Sequence, residues 1–379
     1  MNGLRLNPHL LQVPLYVAGK SAEQVCQEMV LDQVTKLCSN ENPLGPSPMA
    51  LAALHAASTK AHRYPGIAER ELRRKLAAYH GNGLNEHHFI VGNGGTDVLR
   101  MIAQSFIFDG GESVVCRVAF PLFALLTTMY GGKTVRVDPR PDYHLDLPAM
   151  ADAITEDTRL VWLCSPDNPT GSILSQAEVD GFMEQLPEHV VVVFDEAYRD
   201  FVTDPDCADS ARYVCQGRNV IVVRSFSKSA GLANLRVGYA IACPDLIEYL
   251  LRVVLPFNTG ALVLAAAAAS LDDHTFRRHS RELVQQERDF LYTRLTEIGM
   301  TCLPSQANFL LVIDPPCGAP ILVDTLLRRG IIVRPMVGFG LPNALRLTVG
   351  LPEQNRQFLA AVHAVLAEVL THSVTSTVH

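Results

Sequence analysis

The sequence predicts an α/β fold built on a mostly parallel sheet with both faces covered. Through the middle of the chain, short apolar runs alternate with helical stretches, and turn residues separate them. These runs are continuously apolar rather than alternating, which is typical of strands covered on both faces. With 379 residues, 48% of them hydrophobic and 19% charged, the chain can form two or three domains and is not disordered.

The predicted elements follow one another in a regular order. Helices are predicted at 49–60, 69–79 and 259–271, and a Gly-rich turn at 92–96 opens a helix at Asp97. The strands predicted in this part are 88–91, 113–116, 134–137, 160–164, 190–194 and 220–224. After residue 270 a smaller α/β module is predicted, with helices at 274–298, 321–329 and 352–370 and strands at 308–313, 331–334 and 345–349. The polar tail 371–379 is expected to fray.

Composition and charge exclude several classes of protein. The net charge of −7 and the lack of a long basic run argue against nucleic acid as a partner. The nine cysteines are scattered without metal-ligand spacing, and Cys164 and Cys243 lie in apolar runs, which indicates buried free thiols in a reducing cytosol. No secretory signal is evident, and the apolar stretch 259–271 is too short to span a bilayer. We therefore expect a cytoplasmic protein with no metal and no membrane partner.

A lysine stands among hydroxyl groups at the end of a predicted buried strand. Lys228 follows Ser225 and Ser227, and Arg236 comes eight residues later. The amine suits an imine with an aldehyde cofactor, while the hydroxyls and the guanidinium can bind a phosphate on the same cofactor. Taken alone, a solvated turn between a strand and a helix explains the pattern equally well.

Polar side chains at two further strand ends complement this lysine. Asp195 ends the strongest strand, where open α/β sheets place ligands, and it can keep a pyridine nitrogen protonated. Its alternative role is a helix N-cap. Tyr198 can donate to a ring oxygen or pack against the sheet. Asn168 lies between two prolines that orient its amide, which can reach the same oxygen.

The Gly-rich turn is a candidate phosphate site. It lacks the third glycine of a dinucleotide fingerprint, because Asp97 occupies that position, so a nicotinamide site is the weaker interpretation. The backbone N–H groups of Gly95 and Thr96 at a helix N-terminus are the expected donors. Phe120 can stack on a flat ring or serve as an ordinary core residue.

Two arginines of the C-terminal module lie in predicted strands. Arg346 lies within one strand and Arg334 ends another, and neither has an obvious acidic neighbour in the sequence. An unpaired buried guanidinium is costly, so each must find an anion. A substrate carboxylate or phosphate would serve, and so would an internal ion pair.

Together the motifs resemble one family. The ordered set is Asn42-Pro-Leu-Gly45, Arg63-Tyr64-Pro65, the Gly-rich turn, Asn168-Pro-Thr-Gly171, Asp195-Glu-Ala-Tyr198, the segment from Ser225 to Arg236, and Leu345-Arg346-Leu-Thr-Val-Gly350. It resembles the fold type I pyridoxal-phosphate-dependent aminotransferases, most closely the histidinol-phosphate aminotransferase family, from Pro14 to about residue 370. The resemblance implies a large cofactor domain at 43–270 with a seven-stranded sheet sandwiched by helices, and a small domain at 271–379. It also implies an N-terminal segment at 1–42 that packs on the small domain and a partner subunit.

The resemblance also implies a role for each candidate residue. Lys228 would be the Schiff-base lysine and proton shuttle, Asp195 the partner of the pyridine nitrogen, and Phe120 the stacking ring. Asn168 and Tyr198 would bind the ring oxygen. The phosphate would be held by Gly95, Thr96, Ser225, Ser227 and Arg236. Tyr64 would reach the phosphate of the neighbouring subunit in a homodimer, and Tyr16, Asn42, Arg334 and Arg346 would face the substrate.

The implied activity is a ping-pong transfer of an amino group from histidinol phosphate to 2-oxoglutarate, in histidine biosynthesis. Departures from the family pattern, at Ala230, Asn234, Thr96 and Asp167, leave the lysine chemistry intact but weaken the substrate assignment. Three alternatives stay open: an aromatic amino-acid aminotransferase, a threonine-phosphate decarboxylase, and a non-catalytic cofactor-binding regulator.

Overall fold

The computed structural model of the chain describes residues 6–14, 22–29 and 31–375. The strands are β1 (Thr35–Leu37), β2 (Phe89–Gly92), β3 (Glu112–Cys116), β4 (Lys133–Val137), β5 (Thr158–Cys164), β6 (Val191–Asp195), β7 (Val220–Ser225), β8 (Gly238–Ala242), β9 (Thr301–Cys302), β10 (Phe309–Ile313), β11 (Ile331–Pro335) and β12 (Ala344–Thr348). The helices are α1 (Ala22–Met29), α2 (Pro48–Ser58), α3 (Ala68–His80), α4 (Gly95–Phe106), α5 (Leu122–Met129), α6 (Leu147–Asp152), α7 (Gln176–Gln185), α8 (Ala211–Cys215), α9 (Pro244–Leu251), α10 (Ala261–Asp272), α11 (His274–Glu297), α12 (Ala319–Arg328) and α13 (Pro352–Thr375).

The larger sheet has seven strands in the order β2-β8-β7-β6-β5-β3-β4. All neighbouring pairs are parallel except those of β8, which is antiparallel to both β2 and β7. The predicted seven-stranded, mostly parallel sheet is therefore confirmed. The strand β8 was not among the predicted strands, because its Gly-Tyr-Ala-Ile-Ala sequence lacks the β-branched run that identified the others.

The core of this sheet lies on both of its faces. In β5, Val161 and Leu163 pack in one hydrophobic cluster, and Leu160, Trp162 and Cys164 pack in the cluster on the opposite face. All five side chains are buried, which explains why the run is apolar without alternation. Helices such as α4 and α10 supply the covering side chains.

Local signals in the sequence fix the ends of several helices. The Ser175 hydroxyl accepts a hydrogen bond from the backbone N–H of Glu178, whose side chain returns to the Ser175 N–H, and this capping box begins α7. Ser47 begins α2 by accepting from Ala50 N, and its own hydroxyl donates to Asp273, the N-cap of α11.

The smaller sheet has the order β1-β11-β12-β10-β9. Its first strand, β1, comes from the predicted N-terminal segment and pairs in parallel with β11, so that segment joins the C-terminal module. The predicted division at residues 42 and 270 stays a prediction.

Two structural expectations need correction. The helix predicted to end near residue 370 continues to Thr375, so the expected fraying from 371 does not apply to 371–375. Cys243 is half-buried rather than buried, because it caps α9 beyond the end of β8, whereas Cys164 is buried as expected. Within the part of the chain that the structure describes, no helix combines the length and apolar character needed to cross a membrane.

Candidate active site

The candidate site lies where β5, β6 and β7 end. Cys164 of β5 pairs with Asp195 of β6, and Asp195 pairs with Val223 of β7, so the three strands finish side by side. The loop between β7 and β8 carries Lys228 back over this edge. Parallel strands that end together at one edge are where α/β sheets place ligands.

Lys228 is half-buried at the centre of the site. Its Nζ donates a hydrogen bond to the carbonyl of Ser39 at 3.3 Å and lies 5.7 Å from the centroid of the Tyr198 ring. Burial, together with the positive charge of Arg346, lowers the pKa of Lys228 to about 8. Near neutral pH this amine is therefore neutral, and nucleophilic, far more often than that of an ordinary lysine.

Asp195 is a buried carboxyl group with one hydrogen-bond partner among the residues that the structure describes. Its Oδ1 accepts from the backbone N–H of Ala197 at 3.1 Å. Burial raises the pKa of Asp195 to about 6, and the neighbouring Glu196 adds to the rise while Lys228 opposes it. The ionised form is therefore costly unless a cation is placed beside it.

A second carboxyl group, Asp167, is buried close by. Its Oδ2 accepts from the backbone N–H of Thr170 at 3.2 Å and from the Thr170 hydroxyl at 2.8 Å. Its Oδ1 has no hydrogen-bond partner among the described residues. Burial raises the pKa of Asp167 to about 7, and the charge of Asp195 contributes to the rise.

Tyr198 is held by a residue that no sequence pattern indicated. The Asn40 amide donates to the Tyr198 hydroxyl at 3.0 Å, and the Thr348 hydroxyl donates to Asn40 Oδ1 at 3.0 Å. Burial raises the pKa of Tyr198 to about 12, so it stays a donor. Asn40 has a φ of 53°, a left-handed conformation in which asparagine is enriched, but the string Ser-Asn-Glu-Asn offers no means to prefer Asn40 over Asn42.

Asn168 and Arg346 come together from the two sheets. Arg346 Nη1 donates to Asn168 Oδ1, and Arg346 Nη2 donates to the carbonyl of Cys38 at 3.2 Å. No acceptor for the Asn168 amide hydrogens is found among the described residues. Arg334 is the cross-strand partner of Arg346, so both guanidinium groups rise from the same face of the small sheet.

The Gly-rich turn and Arg236 form a cup for an anion. Arg236 Nη2 contacts the Thr96 hydroxyl at 3.3 Å. The arginine lies so close to Gly94 that a Cβ there would be 2.4 Å from Nη2, and the φ of 88° at Gly94 also requires glycine. Gly95 packs against Ser225, because a Cβ at Gly95 would lie 3.8 Å from that side chain. The first N–H groups of α4 therefore face a guanidinium and a hydroxyl.

The remaining cofactor candidates are Ser227 and Phe120. Ser227 is buried, and its backbone N–H donates to Ser225 Oγ at 3.1 Å. Phe120 is half-buried and meets Phe123 edge-on with ring centroids 5.8 Å apart. It also packs against buried residues of the C-terminal module, so it lies between the two sheets.

The structure gives two further predicted residues contacts of their own, and a third lies outside its described range. The Asn42 amide donates to the Ser229 carbonyl at 2.9 Å and to Ser280 Oγ at 2.8 Å, which favours a structural role over contact with substrate. Tyr64 is 76% exposed and stacks on Phe257 with ring centroids 4.2 Å apart. Tyr16 lies outside the described residues.

The geometry suits a ligand with three chemical features. A phosphate fits the cup at α4, an aldehyde lies within reach of a partly neutral amine, and a cationic ring nitrogen fits the buried Asp195. The free amide hydrogens of Asn168 and the Tyr198 hydroxyl suit an oxygen on the same ring.

Comparisons with known proteins identify the family of the chain. The family described as aminotransferase class I and II matches residues 32–362. The chain is 42% identical to a histidinol-phosphate aminotransferase of Moorella thermoacetica over 94% of this chain and 92% of the relative, and 40% identical to one of Symbiobacterium thermophilum over 93% and 96%.

Solved structures give the same result. A histidinol-phosphate aminotransferase of Sinorhizobium meliloti, in complex with pyridoxal-5'-phosphate, superimposes with a TM-score of 0.86 at 26% identity, covering 96% of this chain and 98% of the other. An aspartate aminotransferase of Thermus thermophilus shares the fold, with a TM-score of 0.84 at 21% identity over 96% of this chain and all of the other. These matches confirm the family inferred from the motifs, and the chain belongs to the class I and II aminotransferases.

Proposed function

We propose that the chain is a pyridoxal-phosphate-dependent aminotransferase that moves an amino group from histidinol phosphate to 2-oxoglutarate by a ping-pong mechanism. One observation carries the reaction class: an amine with a pKa lowered to about 8 lies over the ends of β5 to β7, together with a buried carboxyl group and an anion cup. The curated relatives with about 40% identity support the substrate.

The residues present fit this cofactor. Gly95, Thr96, Ser225, Ser227 and Arg236 would hold its phosphate, Asp195 its ring nitrogen, Asn168 and Tyr198 its ring oxygen, and Phe120 one face of the ring. When bound, the cofactor supplies an aldehyde that accepts the amino group and a protonated ring that withdraws electrons. A regulator without catalysis would not need every one of these complementary groups, so we favour an enzyme.

The chain's own residues perform the proton chemistry. Lys228 would bond to the cofactor through its neutral amine and, once displaced by the amino donor, would carry a proton to and from the substrate carbon. Asp195 would keep the ring nitrogen protonated, because its burial makes the carboxylate bind a cation strongly. Tyr198 would donate to the ring oxygen, since Asn40 holds its hydroxyl in place.

The substrate anion would be bound by the two strand arginines. Arg346 is fixed by Asn168 and Cys38, and it would hold the carboxylate of glutamate or 2-oxoglutarate and the phosphate of histidinol phosphate in turn. Arg334 is half-buried, and the structure gives it no hydrogen bond or ion pair with any residue that it describes. It would add a second guanidinium for the dianion, and Tyr16 would complete this side of the site.

A second copy of the chain would complete each active site. Tyr64 and Phe257 are both largely exposed although their rings stack on each other, and the nearby Ile67 and Leu255 are also exposed. Such a cluster suits an interface between copies. In a homodimer Tyr64 would reach the phosphate of the partner's cofactor. The cytoplasm would be the site of action.

The substrate is tested by comparing kcat/KM for histidinol phosphate, histidinol and phenylalanine, each with 2-oxoglutarate. We expect histidinol phosphate to be preferred, and Arg334→Met to reduce its kcat/KM by about 10- to 100-fold while changing that of histidinol little. Arg328→Met removes an exposed arginine of the same module that pairs with Asp324, and it should leave both values unchanged. A preference for phenylalanine would identify an aromatic aminotransferase, and release of CO₂ without an oxo acid a decarboxylase; either result overturns the proposal.

A further inference from the structure

Ser229, the residue after Lys228, is held from two sides. Its hydroxyl donates to Asp200 Oδ2, and its backbone carbonyl accepts from the Asn42 amide at 2.9 Å. The side chain is buried. A residue fixed at both its side chain and its carbonyl restricts the backbone of its neighbour, so these two contacts bear directly on where Lys228 points.

The same loop is fixed further along. The backbone N–H of Ser47 donates to the carbonyl of Ala230 at 3.1 Å. Gly231, with a φ of 69°, lies so close to the segment after Asn42 that a Cβ would be 2.0 Å from the carbonyl oxygen of Gly45. The lysine loop therefore lies against residues 42–47 with no space between them.

Both residues that hold Ser229 are themselves contacted by α11. Arg277 Nη2 lies 3.4 Å from Asp200 Oδ1, and the Asn42 amide donates to Ser280 Oγ at 2.8 Å. Arg277 and Ser280 are three residues apart, so they lie on the same face of the helix. Burial alone would raise the pKa of Asp200, but Arg277 and the Ser229 hydroxyl hold it below its ordinary value, so the carboxylate is ionised.

Asp200 also connects two loops of the active site. Asp200 lies in the segment that follows β6, whose last residue is Asp195. Ser229 lies in the loop after β7, which carries Lys228. The Asp200 carboxylate therefore joins the segment next to Asp195 to the loop that carries Lys228. A second link, the ion pair between Glu196 and Arg224 at 2.6 Å, joins the same two segments closer to the sheet.

We propose that Asp200 and Asn42 form a clamp on Ser229 that positions Lys228 for bond formation with the cofactor, and that Arg277 and Ser280 of α11 hold the two arms of the clamp. These are positioning residues, since they act through Ser229 and touch neither cofactor nor substrate. The proposal rests on the proposed function in one respect, namely that Lys228 is the residue that bonds to the cofactor aldehyde.

The test compares two forms of the cofactor on the purified protein. Pyridoxal 5'-phosphate and pyridoxamine 5'-phosphate share the ring and the phosphate, but only the aldehyde can bond to Lys228. In that step a C=N bond to the amine would replace the C=O bond, and the oxygen would leave as water. We expect Ser229→Ala to raise the Kd for pyridoxal phosphate about tenfold or more, because a hydrogen bond to a carboxylate is lost, and to change the Kd for pyridoxamine phosphate less than about twofold. Both constants are measured by fluorescence titration.

Two further variants separate positioning from general damage. Ser210→Ala removes a buried hydroxyl that donates to the neighbouring carboxylate Glu196 but does not touch the lysine loop, and it should leave both constants unchanged. Ser229→Thr keeps the hydroxyl, and a cavity of about 20 Å³ beside Ser229 gives space to its methyl group, so it should restore the affinity for the aldehyde.

The outcomes distinguish the clamp from the proposed function. If Ser229→Ala weakens both cofactor forms equally, or neither, while Lys228→Ala abolishes the preference for the aldehyde, the clamp alone is overturned. If Lys228→Ala leaves that preference intact, Lys228 is not the bonding residue, and the proposed function is overturned together with the clamp.

Discussion

The buried carboxyl group of Asp195 should make the cofactor-free protein less stable than a variant that lacks its charge. The perturbation is Asp195→Asn, which keeps the shape of the side chain and an oxygen that accepts from Ala197 N. Burial raises the pKa of Asp195 from 3.8 to about 6 in the folded chain. Because this value exceeds that of the unfolded chain, the folded state binds the proton more tightly and loses stability as the pH rises.

The magnitude follows from the difference between the two pKa values. A rise from 3.8 to about 6 corresponds to about 3 kcal/mol, at about 1.36 kcal/mol for each pH unit. The destabilisation is fully developed above about pH 7, falls to about half near pH 5, and vanishes below about pH 3. Asp195→Asn should therefore stabilise the cofactor-free protein by about 3 kcal/mol at pH 8 and by about half of that at pH 5.

Urea unfolding of the cofactor-free protein at both pH values measures this difference. With pyridoxal phosphate in excess the order should reverse, because only the carboxylate attracts a cationic ring nitrogen, and the variant should lose nearly all turnover. A variant that is no more stable than the parent at pH 8, or whose advantage is the same at pH 5, would refute the reasoning.

Three further outcomes are expected. Followed by absorbance, the rate at which the cofactor-free protein bonds pyridoxal phosphate should rise with pH and level off about one unit above the Lys228 pKa of about 8, because this pKa sets the neutral fraction of the amine. A rate that is flat from pH 6 to 9 contradicts this. Gly94→Ala should weaken cofactor binding at least about tenfold in a fluorescence titration, because the new methyl group displaces Arg236, whereas Ala at Gly181, where no atom lies within 4 Å, should not. Tyr64→Ala should weaken cofactor binding and dimerisation together, measured by titration and by sedimentation, and an effect on neither would remove Tyr64 from the interface.

The fold was largely predictable because buried parallel strands leave a strong pattern. Six of the seven strands of the large sheet are short and contain β-branched residues, mostly in apolar runs, although the edge strand β4 also carries Lys133 and Arg136. The predicted bounds of each of the six lie within two residues of the observed ones. The strand β8 was not predicted, because three of its five residues are glycine or alanine. The glycine that begins β8 has a structural reason: at Gly238 a Cβ would be 2.5 Å from the backbone nitrogen of Gly95, so no side chain fits where the strand approaches the Gly-rich turn.

The sequence could suggest only those candidate residues whose type and position together indicate a chemical role. A lysine among serines, an aspartate at a strand end and glycines before a helix each suggest a chemistry, although each of them alone also fits a structural role. Asn40 suggests no chemistry, because its role depends on a tyrosine 158 residues away that only the fold brings within 3.0 Å. Asn40 and Asn42 also differ in their partners, since Asn40 contacts Tyr198 and Asn42 contacts Ser229. The spacing of residues in the sequence does not predict this difference.

The charges of the site also determine which way round the cofactor can bind. At one end, Arg236 and the first N–H groups of α4 favour a dianion, and at the other end the buried Asp195 requires a cation. A phosphate and a protonated ring nitrogen are opposite in charge, so exchanging their positions would bury like charges against each other at both ends. The reversed placement is therefore disfavoured, and the phosphate would bind at Arg236 with the ring nitrogen at Asp195. The Lys228 amine is kept partly neutral by burial and by Arg346, and the same arginine would hold the substrate anion. The group that activates the lysine is therefore also the group that would select what the lysine acts upon.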